Sequence, residues 1–359
     1  MKIVLTGGGT AGHVTPNIAL LPSLSKKGYE VHYIGGYTGI ERELISFCKI
    51  PYYGISGGKL RRYFDIKNAT DIFRILKGLG ESIVLLRRIN PGIIFSKGGF
   101  VVVPVVVAAK LLGIPVVIHE SDITPGLATR LVMPFAKAVC TSFPETLERV
   151  PKNKGILTGT PIRPLLWKGC AQEGVRLCNF NKLSAKPVIM VMGGSLGAEA
   201  INRCILGILP KLLKRFHIIH LCGKGNVSEK AHPGYAPFEY AQEELPHLLA
   251  SADIVISRAG ANTIFELLAL NKPNLLIPLS RYASRGDQIL NAASFKKKGF
   301  SMVLQEEEIT ETSLYEEILK LYSGREEYIR RMASQPSGDN VNRVINVIEA
   351  VDKRSNGMI

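Results

Sequence analysis

Several glycine-rich turns in this chain sit between a short apolar run and a helical pattern, where backbone amides can converge on an anion at a helix N-terminus. The first, Gly7-Gly8-Gly9-Thr10-Ala11-Gly12, satisfies G-x-G-x-x-G and suits a diphosphate. Alone it is weak evidence. A pyridine-dinucleotide oxidoreductase would place an acid at the end of the second strand for the adenosine ribose. Here that strand ends Ile34-Gly35-Gly36, and the nearest following acid, Glu41, lies inside the next helical stretch, so the dinucleotide reading loses most of its support. His13 stands at the helix entrance with Pro16 nearby, where an imidazole would face the occupant of the turn as a general base or acceptor contact. The ordinary alternative for a lone histidine is capping or packing.

Gly193-Gly194-Ser195-Leu196-Gly197 repeats the arrangement and adds a hydroxyl able to donate to a phosphate oxygen, and Lys97-Gly98-Gly99 closes another strand. Ser257-Arg258-Ala259-Gly260 again ends a strand, and Glu266 follows in the early turns of the next helix. A carboxylate there can accept from both vicinal hydroxyls of a ribose, although a surface glutamate would also fit. Asp287, Gln288 and Asn291 offer amides and a carboxylate suited to sugar hydroxyls, or simply a helix N-terminus.

These groups must be held by a substantial framework. The chain has 359 residues, 46% hydrophobic and 21% charged, enough for about two domains with cores of their own, which excludes a stapled miniprotein and wholesale disorder. The net charge of +15 favours an anionic partner. No interleaved aromatic and basic stretch of the kind that stacks bases is present, so nucleic acid is not the expected partner. The six cysteines form no C-x-x-C pair and show no ligand spacing with the seven histidines, so neither structural zinc nor a disulfide framework is expected. The opening MKIVLTGGGTAGH breaks into glycine far short of a secretory core. A reduced, cytoplasmic protein is expected. The apolar segment 101–118 carries Pro104, Lys110, Gly113 and Pro115. These breakers predict a helix from about Pro104 to Leu112 and a strand from Pro115 to Ile118, not a membrane span.

Short β-branched runs alternate with helical patterns twice along the chain, predicting an α/β fold with two parallel sheets. The expected organisation is an N-terminal domain over 1–162, a linker over 163–186 without sustained periodicity, a C-terminal domain over 187–338, and a final helix over 339–359 that packs back on the N-terminal domain. Tandem folds of this type bind ligands at the carboxyl ends of their strands, which predicts a cleft lined by the glycine turns.

The segments GGGTAGHVTP, SKGGFVVVPVVVAAKLLGIPVVIHESDITPGLATR, GTPIR, GGSLGAEAIN, SRAGANTIFELLAL and GDQILNA span nearly the whole chain. In that order they resemble the MurG family, bacterial transferases that move N-acetylglucosamine (GlcNAc) from its UDP ester to lipid I, making lipid II. The resemblance implies a GT-B fold and a peripheral enzyme of the cytoplasmic membrane face, with no cofactor. It implies that Glu266 holds the donor ribose, Ser195 and Gly194 the donor phosphates, Asp287 and Gln288 the sugar, Arg163 the diphosphate, and Tyr240 or Ala241 the uracil. On the acceptor side it implies His13, and at the acceptor or the diphosphate Thr10, Gly12, Gly98 and Gly99. Where better-known members carry Asn in an H-E-x-N segment, this chain has Asp122. Both His13 and Asp122 thus qualify as the base for the acceptor hydroxyl. An α-linked donor and a β1,4 product imply one in-line displacement, and no D-x-D pair appears where a metal-bridged nucleotide site would use one. A related transferase acting on diacylglycerol would share the donor residues.

Residues 71–89 carry Ile72, Ile75, Leu76, Leu79, Ile83 and Leu86 at helical spacing among Arg74, Lys77, Arg87 and Arg88, preceded by Lys59-Leu60-Arg61-Arg62-Tyr63-Phe64. Ordinary packing against the sheet explains the stripe. Part of this surface is also expected to dock on an anionic membrane.

Overall fold

Most short β-branched runs of the first half become buried parallel strands, because β-branched residues can fill both faces of the sheet at once. The computed structural model describes residues 1–58, 67–193, 198–227, 232–282, 285–335 and 339–356. The chain divides into two compact units, Met1–Arg163 with Gly338–Ile359, and Pro164–Ser337.

The first unit runs β1 (Lys2–Thr6), α1 (Thr15–Lys26), β2 (Glu30–Gly36), α2 (Ile40–Ser46), β3 (Tyr52–Ile55), α3 (Lys67–Ile89), β4 (Ile93–Ser96), α4 (Val102–Leu111), β5 (Val116–Glu120), α5 (Leu127–Val132), β6 (Ala138–Thr141) and β7 (Gly155–Leu157). Its strands pair in the order β3-β2-β1-β4-β5-β6-β7, all parallel. The order reverses between β1 and β4, the topological switch point at whose carboxyl strand ends doubly wound sheets bind ligands. Side chains alternate between two cores. Ile3, Leu5, Tyr33 and Phe95 join Leu20 and Leu24 of α1 on one face, while Val4, Ile34 and Ile94 join Val102, Val105 and Val106 of α4 on the other. The apolar segment 101–118 is α4 and β5, and no described helix is long and apolar enough to cross a membrane.

The second unit runs α6 (Ala171–Leu177), β8 (Val188–Met192), α7 (Glu199–Leu212), β9 (His217–Leu221), β10 (Tyr235–Phe238), α8 (Leu245–Ser251), β11 (Ile254–Ser257), α9 (Ala261–Ala269), β12 (Asn274–Leu276), α10 (Asp287–Lys297), β13 (Met302–Val303), α11 (Glu311–Ser323) and α12 (Arg325–Ala333). Strand order β10-β9-β8-β11-β12-β13 repeats the plan of the first sheet, with its reversal between β8 and β11. The stretch without periodicity after Arg163 belongs to this unit, where α6 packs on α8.

The last helix, α13 (Asn340–Asn356), returns to the first unit. Val341, Val344, Ile345, Ile348 and Val351 recur at helical spacing and enter the core that holds α1. Asn340 Nδ2 donates to Thr160 O (3.1 Å), and Lys27 pairs with Glu349 (3.0 Å) at the rim. Ile348 is fully buried, so Ile348→Ala should cost about 2–5 kcal/mol. Urea unfolding followed by circular dichroism checks this, and an unchanged midpoint would remove α13 from the load of the first unit.

Candidate functional site

At the reversal of the first sheet the turns after β1 and β4 touch. Gly8 N donates to Gly98 O (3.2 Å), and a Cβ on Gly99, whose φ is +85°, would lie 2.1 Å from Gly8 O. Only glycine fits there. The turn after β1 is fixed from below by Tyr33, whose hydroxyl donates to Gly7 O (2.8 Å) and accepts from Asn17 Nδ2 (3.2 Å). Burial holds the Tyr33 phenol far above its ordinary range, so it remains a donor. His13 ends a short 3-10 turn, Ala11–His13. Its Nδ1 lies 2.9 Å from Gly8 O and 3.2 Å from Thr10 Oγ1. A carbonyl can only accept, so Nδ1 of the neutral ring carries the proton and Nε2 the lone pair. Thr10 and Gly12 lie in the same turn, and Gly98 faces the ring, since a Cβ on it would be 3.4 Å from His13 Nε2.

Glu41 is 3% exposed and turned into this turn, accepting from Gly9 N (3.1 Å) and Gly36 N (3.2 Å). The acid that a dinucleotide enzyme would offer to a ribose is here an internal ligand of the glycine turn.

Beside it, the carboxyl end of β5 carries a second pinned loop. Both carboxylate oxygens of Glu120 are engaged, one by Ser121 N (2.8 Å) and Asp122 N (3.1 Å), the other by Gly126 N (3.1 Å). Asp122 is half-buried, and its carbonyl accepts from Thr146 Oγ1 (3.1 Å). Lys97 is 2% exposed, and its ammonium donates to Ser121 Oγ. Burial pulls its pKa down to about 8 although Glu120 and Asp122 oppose the shift. His119 donates from Nε2 to Gly159 O (2.9 Å). Burial, then the charge of Lys97, push it well below the usual imidazole range, so it is a neutral packing residue.

In the second unit the strand order reverses between β8 and β11, and Gly194 and Ser195, just after β8 in sequence, lie outside the described residues. Glu266 sits on the buried side of α9 and is 8% exposed. Asp287 opens α10 and pairs with Arg285 (2.9 Å). Gln288 Oε1 accepts from Leu279 N (3.0 Å), Glu306 accepts from Ser280 N (2.9 Å) and pairs with Arg258, and Arg258 donates to Ile277 O (3.2 Å). The loop after β12 is therefore tied to β11, α10 and the segment after β13. Tyr240 is 47% exposed and Ala241 buried, both just after β10. Arg163 is the last residue of the first unit before the chain enters the second.

Residues 3–141 match the glycosyltransferase family 28 N-terminal domain, and residues 188–348 match the glycosyltransferase family 28 C-terminal domain. The chain belongs to glycosyltransferase family 28. Within the family, it is 56% identical to the UDP-N-acetylglucosamine–N-acetylmuramyl-(pentapeptide) pyrophosphoryl-undecaprenol N-acetylglucosamine transferase of Clostridium kluyveri, over 97% of this chain and 99% of that one. It is 57% identical to the like-named protein of Lachnospira eligens, over 97% of this chain and 98% of that one. The crystal structure of Acinetobacter baumannii MurG superposes with a TM-score of 0.73 at 24% identity, covering 97% of this chain and 99% of that chain. That likeness concerns the fold, and with the two family 28 domains it establishes the GT-B type of paired Rossmann-like domains.

Sequence reasoning passed over Glu41, Lys97, Glu120 and Glu306 as shapers of these loops. For the three glutamates the available signal was an acid at or just beyond a strand end, within reach of turn amides. It also passed over His220 of β9, which is fully buried. Its Nδ1 meets Tyr235 Oη (3.0 Å) and its Nε2 meets Asn202 Oδ1 (3.0 Å), while Asn202 Nδ2 donates to Cys222 O (2.8 Å). Asn202 therefore accepts from the ring and Tyr235 donates to it, an arrangement that needs neutral imidazole. Burial lowers the pKa of His220 from 6.5 to about 4. The unfolded chain takes up this proton first, so stability is complete above pH 6.5 and falls as pH descends to about 4, by about 3 kcal/mol from this group. His220→Gln should flatten that slope in urea melts recorded at several pH values. An equal slope in the variant would assign the loss to other groups.

Proposed function

We propose that the chain is an inverting transferase that moves N-acetylglucosamine from UDP-GlcNAc to the 4-hydroxyl of N-acetylmuramic acid in lipid I, producing lipid II. The observation that carries this reading is full-length identity of 56% to a transferase named for that reaction. The geometry supports a division of labour. Donor groups lie on the second unit: Glu266 for the ribose, Ser195 and Gly194 for the phosphates, Tyr240 and Ala241 for the uracil, and Asp287 with Gln288 for the sugar. Gln288 uses its Oε1 to hold Leu279, so the hydroxyl contact falls to its Nε2. Arg163 supplies positive charge for the departing diphosphate. On the first unit, Thr10, Gly12, Gly98 and Gly99 line the acceptor side, and His13, with its lone pair on Nε2, takes the proton of the attacking hydroxyl. Asp122, half-buried near the charge of Lys97, is the second candidate for that proton.

The direct test is transfer of radiolabel from UDP-GlcNAc to a lipid I analogue, with diacylglycerol as the competing acceptor. Label in lipid I alone supports the assignment, and label in diacylglycerol alone overturns it. Glu266→Ala should raise KM for UDP-GlcNAc at least about tenfold, since a charge-assisted hydrogen bond contributes roughly 1.5–3 kcal/mol. Alanine at His13 or at Asp122 should lower kcat about 10²-fold or more for at least one of the two, with donor binding intact. Near-wild-type turnover in both would place the base elsewhere.

Helix α3 supports a place at the membrane. Leu79, Ile83 and Leu86 of the apolar stripe pack into the first unit's core, so that part of the stripe is ordinary packing. The side chain of Ile72 and the cluster 59–64 lie outside the described residues. A second face is different: Phe73 (73% exposed), Leu76 (57%) and Val84 (67%) recur with exposed Arg87 at steps that keep them on one side. Apolar side chains ringed by Arg74, Lys77, Arg87 and Arg88 suit the anionic inner leaflet, where each nearby cation adds about 1 kcal/mol. Replacing Phe73, Leu76 and Val84 by Ser, or Arg87 and Arg88 by Ser, should reduce co-sedimentation with anionic liposomes. Wild-type binding should weaken with salt. Equal binding to neutral and anionic liposomes would refute the docking face.

A further inference from the structure

We propose that Glu41 is a positioning residue for His13, acting through the single peptide group between Gly8 and Gly9. The inference rests on the reading of His13 as the group that takes the acceptor's proton. The Gly9 N–H donates to Glu41 Oε2 at 3.1 Å, and the carbonyl of that same peptide unit, Gly8 O, receives the His13 Nδ1 proton at 2.9 Å. Carboxylate, peptide and imidazole thus form one unbroken chain of hydrogen bonds. A peptide is planar and conjugated, so an anion on its N–H side raises electron density on its oxygen, and hydrogen bonds in series reinforce one another. As Nε2 takes up a proton, the imidazolium is stabilised by a carbonyl that a buried carboxylate polarises. The arrangement is a carboxylate–imidazole dyad with one amide interposed.

The surroundings keep this chain in place. Glu41 is 3% exposed, and its second oxygen is held by Gly36 N at 3.2 Å. A Cβ on Gly8 would come within 2.6 Å of the Glu41 carboxylate, so the peptide can approach only because residue 8 lacks a side chain. Gly8 N, in the preceding peptide unit, is tied to Gly98 O, which anchors the turn from which the Gly8–Gly9 peptide extends. The ionisable groups described at this end of the sheet include Tyr33, which donates to Gly7 O, and Tyr52, which donates to Gly36 O, both beside Glu41, with Lys97 beside Gly98 on the β4 side and His119, Glu120 and Asp122 on the β5 side. Glu120 is committed to its own loop amides and Lys97 to Ser121. Among the described hydrogen bonds, those of Glu41 lead through the Gly8–Gly9 peptide to the His13 ring.

The test uses the full chain with 15N-labelled histidine, comparing wild type, Glu41→Gln, His13→Ala and the double variant. In wild type, nitrogen shifts of His13 should report a proton on Nδ1 and none on Nε2 in the neutral ring. The opposite tautomer would overturn the proposal without recourse to any variant. In Glu41→Gln the His13 ring should lose its proton at lower pH than in wild type, and the acidic limb of the kcat profile should move the same way. Turnover should fall about tenfold with KM for UDP-GlcNAc unchanged within about twofold. In the His13→Ala background, Glu41→Gln should cost nothing further. An unshifted titration, or equal losses in both backgrounds, would reduce Glu41 to a structural pin. Wild-type turnover in His13→Ala would defeat the base reading alone, and the relay would still be decided by the titration.

Discussion

Two backbone turns meet more closely at the reversal of the first sheet than any side chain would allow, and the surrounding loops of the first unit are arranged around that meeting. Gly99 abuts Gly8 O, Gly8 N bonds to Gly98 O, and the peptide after Gly8 lies between Glu41 and His13. The closeness joins β1 to β4, the pair of strands at which the doubly wound order reverses. It also settles which way the imidazole faces, because Gly8 O can bond only to a protonated Nδ1. The chemical orientation of one side chain is thereby a property of the sheet's topology.

Carboxylates turned inward, two buried and one half-buried, do similar work three times. Glu41 holds Gly9 and Gly36, Glu120 holds Ser121, Asp122 and Gly126, and Glu306 holds Ser280 and the guanidinium of Arg258. Each sits at or beyond a strand end and gathers backbone amides that would otherwise need water or ligand. With 30 acids against 45 basic residues, acids turned inward leave the surface still more cationic than the net charge implies. That bias favours diphosphate substrates and an anionic membrane alike.

Much of the fold was legible because its signals are local. Breakers at Pro104, Gly113 and Pro115 separated α4 from β5, and the return of β-branched runs at Val188 announced a second sheet. The spacing of Val341, Val344, Ile348 and Val351 gave α13 an apolar face, and that face lies in the first core. The glycine turns were readable as loops at strand ends, but their shape was not. Gly98 and Gly99 are explained by Gly8 about ninety residues earlier in the chain, a long-range contact that no local pattern encodes. Glu41 illustrates the same gap: its place inside a helical stretch spoke against a ribose contact, and nothing local revealed that its carboxylate turns back into the first loop. On α3, periodicity alone could not separate Leu79, Ile83 and Leu86, which face the core, from Phe73, Leu76 and Val84, which face outward.

The proposed reaction is one displacement at the sugar's anomeric carbon, with the attacking hydroxyl deprotonated on the first unit and UDP held by the second. A covalent sugar–enzyme intermediate has no part in it. Proton NMR of the product made from α-linked UDP-GlcNAc and a lipid I analogue tests this most directly. The account predicts a β linkage in every turnover, and an α linkage would contradict it.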